Sequence, residues 1–378
     1  MKYFLIAGEA SGDLHASNLI AALREKDVHT SFVGMGGDKM AEQGCRLVQD
    51  YRQMAFMGIV AVLRNMGKVV RNFRIAKQAL LHEQPDVLVL VDYPSFNLRM
   101  AAFCRKHLPD TRIVYYIPPK VWAWKTWRIH KIARLSDQVL GIFPFEPEFY
   151  RRYGYRCRYI GNPTVDAIRA WKTIHHRSVT SHDTREQPII ALLPGSRKSE
   201  ISHCLPTMLA AANRVIQQQP QYKVLVTAAP GVEDAFYEPM LNGATLTRDT
   251  YALLSIARAA VVNSGTATLE TALLNCPETA VYHIAASRFF GKKVVDWFKH
   301  HLFKDGFFTL VNILTGRETI RELIAEQFTE EKIATELNRL LSDEAYRHRM
   351  QEQFTEVQTL LGDQPAAQTA AQVIVGND

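Results

Sequence analysis

No run of about 18 apolar residues, the length a helix needs to cross a bilayer, occurs anywhere in the 378 residues. Any contact with a membrane is therefore expected from the surface of the fold. Met1 to Ala7 holds one lysine and a short apolar stretch that breaks at Gly8-Glu9, too short to read as a signal peptide. Cysteine is scarce. Cys45, Cys104, Cys157, Cys204 and Cys276 are odd in number, widely scattered and without Cys-x-x-Cys or Cys/His ligand spacing. They read as reduced core thiols of a cytosolic protein, and no metal site is expected. Gly-x-Gly-x-x-Gly is missing from the first glycine-bearing turn, and no acidic residue follows the second strand in the ribose-binding place, which disfavours dinucleotide binding. Acidic residues are absent between Asp50 and Glu83, an interval that carries Arg52, Arg64, Lys68, Arg71, Arg74 and Lys77.

What is present describes a globular chain, 47% hydrophobic and 22% charged, long enough for two domains. A net charge of +7 calls for an acidic partner: nucleic acid, phosphorylated small molecules or an anionic membrane. Lys2 to Ala7 reads as a buried strand, followed by Gly8-Glu9-Ala10-Ser11-Gly12-Asp13 and a helical run from Leu14 to Leu23, the opening of a doubly wound α/β domain. Glu9, Ser11 and Asp13, beside a helix N-terminus, suit sugar hydroxyls, or simply cap the turn. Asp86 to Asp92 reads as a strand, apolar from Val87 to Val91, with Asp92 at its carboxyl end, where ligands of such sheets bind. Asp92 is chemically competent as a general base, or as the cap of the next helix. Further strands are expected at Arg112 to Tyr116, Ser136 to Ile142 and Arg158 to Asn162. Trp122 and Trp124, beside Pro118-Pro119, make an aromatic wall that either stacks on sugar or fills a core.

Trp171 to Gln187, polar and without apolar periodicity, reads as a surface connection at the domain border. Strands at Ile189 to Leu193, Tyr222 to Ala228, Ala259 to Val262 and Pro277 to Ile284 then repeat the α/β grammar, and from Thr319 onward the chain reads as helical. Two turns in this half suit an anion: Pro194-Gly195-Ser196-Arg197 with Glu200, and Asn263-Ser264-Gly265-Thr266 opening a helix whose Glu270 lies one turn deeper, placed for ribose hydroxyls. Asn312 is in a position to reach a base or ribose. Two segments join basic and apolar residues. One is an amphipathic helix from about Ile59 with Val60, Val62, Leu63 and Met66 as an apolar lip. The other is Arg288 to Lys304 with Phe289, Phe290 and Trp297 among lysines. Both suit a membrane interface; the second also suits single-stranded nucleic acid, although no nucleic-acid motif accompanies it.

Taken together, Gly8 to Asp13, Met57-Gly58-Ile59-Val60, Asp92 with Pro94 to Asn97, Val121-Trp122-Ala123-Trp124, Leu193 to Arg197 with Glu200, Ser264-Gly265-Thr266 with Glu270, and Asn312 resemble, in order and spacing, the lipid-A-disaccharide synthase family. The resemblance runs from about residue 3 to residue 320. It implies an α/β chain of two Rossmann-like doubly wound domains facing a cleft, the GT-B glycosyltransferase fold. The expected division is 1–168 for acceptor and membrane, completed by helices in 345–378, and 188–344 for the UDP-sugar. It implies an inverting, metal-independent transfer of 2,3-diacylglucosamine from UDP-2,3-diacylglucosamine to the 6-hydroxyl of 2,3-diacylglucosamine 1-phosphate (lipid X), with no cofactor. Asp92 is then the base, with Arg197, Glu200, Ser264, Gly265, Thr266, Glu270 and Asn312 at the donor and Glu9, Ser11, Gly12, Asp13, Asn97, Trp122 and Trp124 at the acceptor. The implied place is the cytoplasmic face of the inner membrane of Gram-negative bacteria, with homodimerisation open. The chain departs from the family pattern at Pro118-Pro119, Asn162 and Val311, close to the site. Its rivals are a UDP-sugar transferase or epimerase with a soluble substrate, and a basic nucleic-acid-binding module.

Overall fold

The computed structural model describes residues 1–53, 66–123, 125–175, 187–283 and 306–376. The first elements are β1 (Lys2–Ala7), α1 (Ala10–Lys26), β2 (Ser31–Gly36), α2 (Asp38–Glu42), β3 (Arg46–Asp50), α3 (Met66–Glu83), β4 (Val87–Val91), α4 (Pro94–His107), β5 (Arg112–Tyr116), α5 (Arg128–Leu135), β6 (Gln138–Gly141), α6 (Glu146–Arg151), β7 (Arg158–Tyr159) and α7 (Pro163–His175). They are followed by β8 (Ile189–Leu193), α8 (Lys198–Gln218), β9 (Lys223–Thr227), α9 (Asp234–Leu241), β10 (Thr245–Thr247), α10 (Thr250–Ile256), β11 (Ala257–Asn263), α11 (Thr266–Leu273), β12 (Glu278–Tyr282), α12 (Leu310–Thr315), β13 (Arg321–Ile324), α13 (Glu330–Ser342), α14 (Glu344–Leu361) and α15 (Ala366–Val375). Contacts divide the chain into unit 1, Met1–Pro163 with Asp363–Asp378, and unit 2, Thr164–Gly362.

Unit 1 is built on a parallel sheet in the order β3-β2-β1-β4-β5-β6-β7. Its central strands are apolar throughout because helices cover both faces. Tyr3, Leu5 and Ala7 point to one side with Val87, Val89 and Val91; Phe4 and Ile6 point to the other with Leu88 and Leu90. Ala16, Leu19, Ile20 and Leu23 recur at helical spacing on α1 and fall on the first side, each fully buried. Burying each of the leucine and isoleucine side chains contributes about 1.5–3 kcal/mol. Ala367, Ala370, Ala371 and Ile374 of α15 complete that layer, and their small size lets α15 lie close to α1. Arg112 donates from its guanidinium to the Ile374 carbonyl, and the Gln138 amide donates to that of Val373 at 3.3 Å, fastening the C-terminal helix to the sheet.

Unit 2 repeats the plan with a parallel sheet in the order β10-β9-β8-β11-β12-β13. Here the chain departs from its sequence reading in three places. The stretch from Thr319 was expected to be helical, yet Arg321–Ile324 is a strand paired with β12; four residues are too few for a period of two to show. Helices in 345–378 were expected with the first domain, but α14 packs on α11 and α12 through Met350, Phe354, Val357 and Leu361. Only α15, after the turn at Gly362, joins unit 1. Finally, Trp171 to His175, expected in a surface connection, form the last turns of α7, with the Trp171 ring stacked on His175 at 4.7 Å. The rest of that connection, 176–186, lies outside the described residues. Among the described residues no helix is long and apolar enough to cross a membrane.

Candidate active site

In each sheet one strand pair marks the point where chain order reverses, the place where ligands of doubly wound sheets bind. In unit 1 that pair is β1 and β4, which run in register with Ala7 opposite Val91. The turns beyond them bring Glu9 and Asp92 together, near enough for the Glu9 charge to act on Asp92. Gly8 is required here because a Cβ would lie 2.3 Å from the Tyr93 ring.

The backbone at this edge is strained. Asp92 and Tyr93 have φ of +42° and +43°, and Ile117, at the end of the neighbouring β5, has +59°. None is glycine, and left-handed backbone at such residues costs about 1–3 kcal/mol each. The surroundings hold it: the Asp92 N–H donates to the Ile117 carbonyl at 3.2 Å, and the Asp92 carbonyl accepts from the Asn97 amide and the Tyr115 hydroxyl, both at 2.8 Å. Burial, then Glu9, push the Asp92 carboxyl up to about 6, opposed by Lys120 and by a bond from the Tyr93 N–H. A carboxyl poised there can take a proton from a hydroxyl near neutral pH.

Several residues expected to touch sugar do something else. Asp13 is 3% exposed, and its carboxylate accepts from the N–H groups of Gly37 (2.7 Å), Lys39 (3.2 Å) and Met40 (3.2 Å). It caps α2, whose first N–H groups have no partner within the helix. Asn97 is fully buried, and its amide holds the carbonyls of Val91 and Asp92. Trp122 is 8% exposed, packs edge-on against Phe143 and Phe145, and donates from its indole to Glu146 at 3.2 Å, so it belongs to the core. Gly12 is buried against Ala7 and Val91, where it seats α1. Ser11 is exposed and Glu9 half-buried, so both remain available.

The reversal point of unit 2 is β8 and β11. Gly195, with φ of +123°, has no room for a side chain: a Cβ would meet the Asn263 amide at 2.7 Å. The turn after β8 therefore touches the last residue of β11, and Arg197 and Gly265 are the residues that open α8 and α11 beyond them. Gly265 and Thr266 are exposed, Ser264 is half-buried, and among the described residues no side-chain cap bond is made at the start of α11, whose N-cap is Gly265. Such an end attracts an anion. Arg197 is half-exposed and held at 2.9 Å by Glu200, whose other oxygen accepts from the Ser196 N–H at 2.9 Å. Glu200 thus shapes the turn and aims the arginine. Glu270 lies one turn into α11, half-buried, with the Tyr251 hydroxyl 3.4 Å away; burial raises its carboxyl above the usual range.

Asn312 does not reach outward. It is fully buried; its amide donates to the Ile320 carbonyl and to Glu322, and its oxygen accepts from the N–H groups of Thr319 and Ile320, all at 2.8–3.0 Å. It ties α12 to β13. Val60, Val62, Leu63, Trp124, Phe289, Phe290 and Trp297, with the Met57 to Val60 stretch, lie outside the described residues, and Met66 enters only as the first residue of α3.

Four residues at these edges escaped the sequence reading. Lys120 and Glu146 follow β5 and β6, and Tyr251 backs Glu270. His283, just after β12, stacks on His203 of α8 at 5.0 Å. A carboxylate or lysine a few residues past each apolar strand was the available signal.

Comparisons with known proteins follow this geometry. The family described as lipid-A-disaccharide synthetase matches residues 3–374. The lipid-A-disaccharide synthase of Myxococcus xanthus is 35% identical over 379 residues, covering 99% of this chain and 97% of that one. That of Trichlorobacter lovleyi is 37% identical over 369 residues, covering 96% and 93%. Among solved structures, UDP-GlcNAc 2-epimerase from Neisseria meningitidis bound to UDP-GlcNAc aligns over 100% of this chain and 99% of its own, with a TM-score of 0.65 at 10% identity. The glycotransferase of kitacinnamycin aligns over 99% and 98%, with 0.62 at 12%. At those identities the likeness speaks for the fold, two parallel-sheet α/β domains of the GT-B kind. With nearly the whole length matched by one family and by relatives above 30% identity, the chain belongs to the lipid-A-disaccharide synthetase family.

Proposed function

We propose that the chain transfers 2,3-diacylglucosamine from UDP-2,3-diacylglucosamine to the 6-hydroxyl of 2,3-diacylglucosamine 1-phosphate, with inversion and without a metal ion. The family sets the coarser activity: this is a glycosyltransferase, a lipid-A-disaccharide synthase that uses a UDP-sugar. The observation that carries the finer reading is Asp92, a carboxyl at the reversal point of unit 1 that holds its proton up to about 6. Asp92 takes the hydroxyl proton as that oxygen bonds to the anomeric carbon, while the bond to the diphosphate oxygen breaks and its electron pair leaves with UDP.

Unit 2 meets the leaving charge with the open N-terminus of α11 at Ser264, Gly265 and Thr266 and with Arg197, while Glu270 takes the ribose hydroxyls. Glu9 and Ser11 are the acceptor contacts that this reading retains. Membrane attachment to the inner face of the inner membrane is proposed through α3 and its preceding apolar stretch. Lys68, Arg71, Arg74 and Lys77 line α3, and Val70 on the same helix is 50% exposed.

The test is incubation with the two acylated precursors and mass detection of a disaccharide 1-phosphate together with UDP. Proton NMR of the new anomeric position reads inversion, and an EDTA-treated sample reads metal independence. Turnover of soluble UDP-N-acetylglucosamine, with none of the acylated pair, would support the epimerase reading instead.

A further inference from the structure

Three aromatic rings of unit 1 stand in file from α3 to the Asp92 turn. Phe73 of α3 stacks on Phe96 of α4, with ring centroids 4.4 Å apart and planes 21° from parallel. Phe96 in turn meets Tyr93 at 5.7 Å, tilted by 35°. Beyond Tyr93 the file ends on Gly8, whose missing side chain is what lets the ring lie against the β1 turn. All three rings pack in the core on one face of the sheet.

The two ends of the file are fixed by different elements. At the near end Asp92 and Tyr93 are both left-handed, a backbone that persists only where its surroundings impose it. The hydrogen bonds from Asn97 and Tyr115 hold the Asp92 carbonyl; the next residue, Tyr93, is held by its ring, between Gly8 and Phe96. Phe96 is 5% exposed, and its neighbour Asn97 supplies one of those bonds, so this ring also seats the first turn of α4. At the far end the Arg99 guanidinium, one turn past Phe96, lies 5.3 Å from the Phe73 centroid. Asn72, next to Phe73 and 5% exposed, donates from its amide to the Gln53 carbonyl at 3.0 Å. Close-packed rings with preferred mutual geometry pass a displacement on to their neighbours.

We propose that Phe73 is a positioning residue for the base: acting through Phe96 and Tyr93, it keeps the left-handed turn in the one geometry that presents the Asp92 carboxyl to the acceptor hydroxyl. This rests on the reading of Asp92 as the base. Phe73 touches neither Asp92 nor its turn directly, and it stands on α3, the helix proposed to lie on the lipid. The surface that receives the acylated acceptor and the group that deprotonates it are then parts of one packed body. Filling the core needs only apolar bulk at position 73, whereas positioning needs a ring.

The experiment separates the ring from the bulk. Phe73→Leu, with Phe73→Met as the alternative should the first fail to fold, keeps the position apolar and removes the ring. Phe73→Tyr keeps the ring at a position that is only half-buried. In Phe73→Leu, kcat with the two acylated precursors should fall about tenfold while KM for each stays at wild type, and Phe73→Tyr should turn over like wild type. A second readout needs no substrate. In protein labelled at the tyrosine nitrogens, the Tyr93 amide resonance is identified by its loss in Tyr93→Phe. It should move in Phe73→Leu while that of Tyr3, whose side chain lies on the other face of the sheet, stays. A folded Phe73→Leu with wild-type kcat, or with an unmoved Tyr93 amide, overturns the proposal. So does a raised acceptor KM as the only change, because Phe73 would then be a substrate contact, and so does an equal loss of kcat in Phe73→Tyr. If instead Asp92→Asn keeps full turnover, it is the base assignment that falls, and the Tyr93 amide still reports whether the file holds the turn.

Discussion

Replacing Asp92 with asparagine should make unit 1 more stable while it removes turnover, and the gain should grow with pH. In the unfolded chain this carboxyl ionises near its ordinary value of 3.8, whereas in the fold it keeps its proton up to about 6 because it is buried and faces Glu9. Below the lower value both states carry the proton and the group leaves stability unchanged. Between the two values the unfolded chain has released the proton and the folded chain has not, so stability falls as pH rises. Above the upper value the loss is complete. A gap of roughly two units, at about 1.4 kcal/mol each, puts that loss at about 3 kcal/mol. Asparagine keeps the shape and can still accept from the Tyr93 N–H, but it brings no charge to be stripped of water. For a domain of this size the gain corresponds to roughly 6–12 °C in melting temperature. Scanning calorimetry of both proteins at about pH 4 and about pH 8 reads it, the difference being small at the lower pH and near its ceiling at the higher. Turnover at the higher pH should fall about 10²- to 10⁴-fold, the usual contribution of a general base. An asparagine variant that melts below wild type at the higher pH, or a difference that ignores pH, would refute the claim that the fold holds this carboxyl against its preference.

Arg197→Ala should weaken UDP binding about tenfold in calorimetric titration and leave the melting temperature nearly unmoved, because the side chain is half-exposed and its ion pair among the described residues is the local one with Glu200. Asn312→Ala should lower stability by about 2–4 kcal/mol, since four buried hydrogen bonds lose a partner, yet leave UDP affinity of the folded fraction close to wild type. Gly8→Ala should lower activity more than truncation at any exposed position of the same turn, as the new methyl must displace the Tyr93 ring beside Asp92; rate measurements on Gly8→Ala and Ser11→Ala make the comparison.

The parallel strands were legible because burial on both faces writes them as short apolar runs: Lys2 to Ala7, Asp86 to Asp92 and Ile189 to Leu193 were bounded to within a residue of the structure. The turns after β1, β4, β8 and β11 were legible for the same reason, since each follows such a strand, whereas the strand order that makes them reversal points was not. The direction of a polar side chain was not. Glu9 and Asp13 stand in one turn with nothing local to separate them, and what decides is the N-terminus of α2, whose Gly37, Lys39 and Met40 lie 24, 26 and 27 residues further on. Asn312 is a similar case: its partners Thr319, Ile320 and Glu322 lie just before and within a strand that four residues were too short to announce. Lys120 was passed over beside two prolines and two tryptophans. Its nearness to the Asp92 charge depends on β4 flanking β5, which is a property of the sheet order.

On the proposed assignment, the two units repeat one architecture with different chemistry at the same edge: a buried carboxyl raised to about 6 in unit 1, an arginine and a helix N-terminus in unit 2. In unit 1 the strand ends are followed by Glu9, Asp92, Lys120 and Glu146; in unit 2 they are followed by Arg197 paired with Glu200, and by the N-terminus of α11 with Glu270 one turn deeper. Glycosyl transfer divides charge in the same way, for the attacking hydroxyl must lose a proton to a negative group while the departing diphosphate gains negative charge and needs a positive one. A net charge of +7 describes neither edge, because its excess lies elsewhere, as on the basic helix α3. The chemistry of each edge follows from a few residues that a parallel sheet delivers to its carboxyl end. Neutralising one of those charges, as in Asp92→Asn or Arg197→Ala, should therefore disturb one half of the reaction, proton removal or donor binding, and leave the other intact.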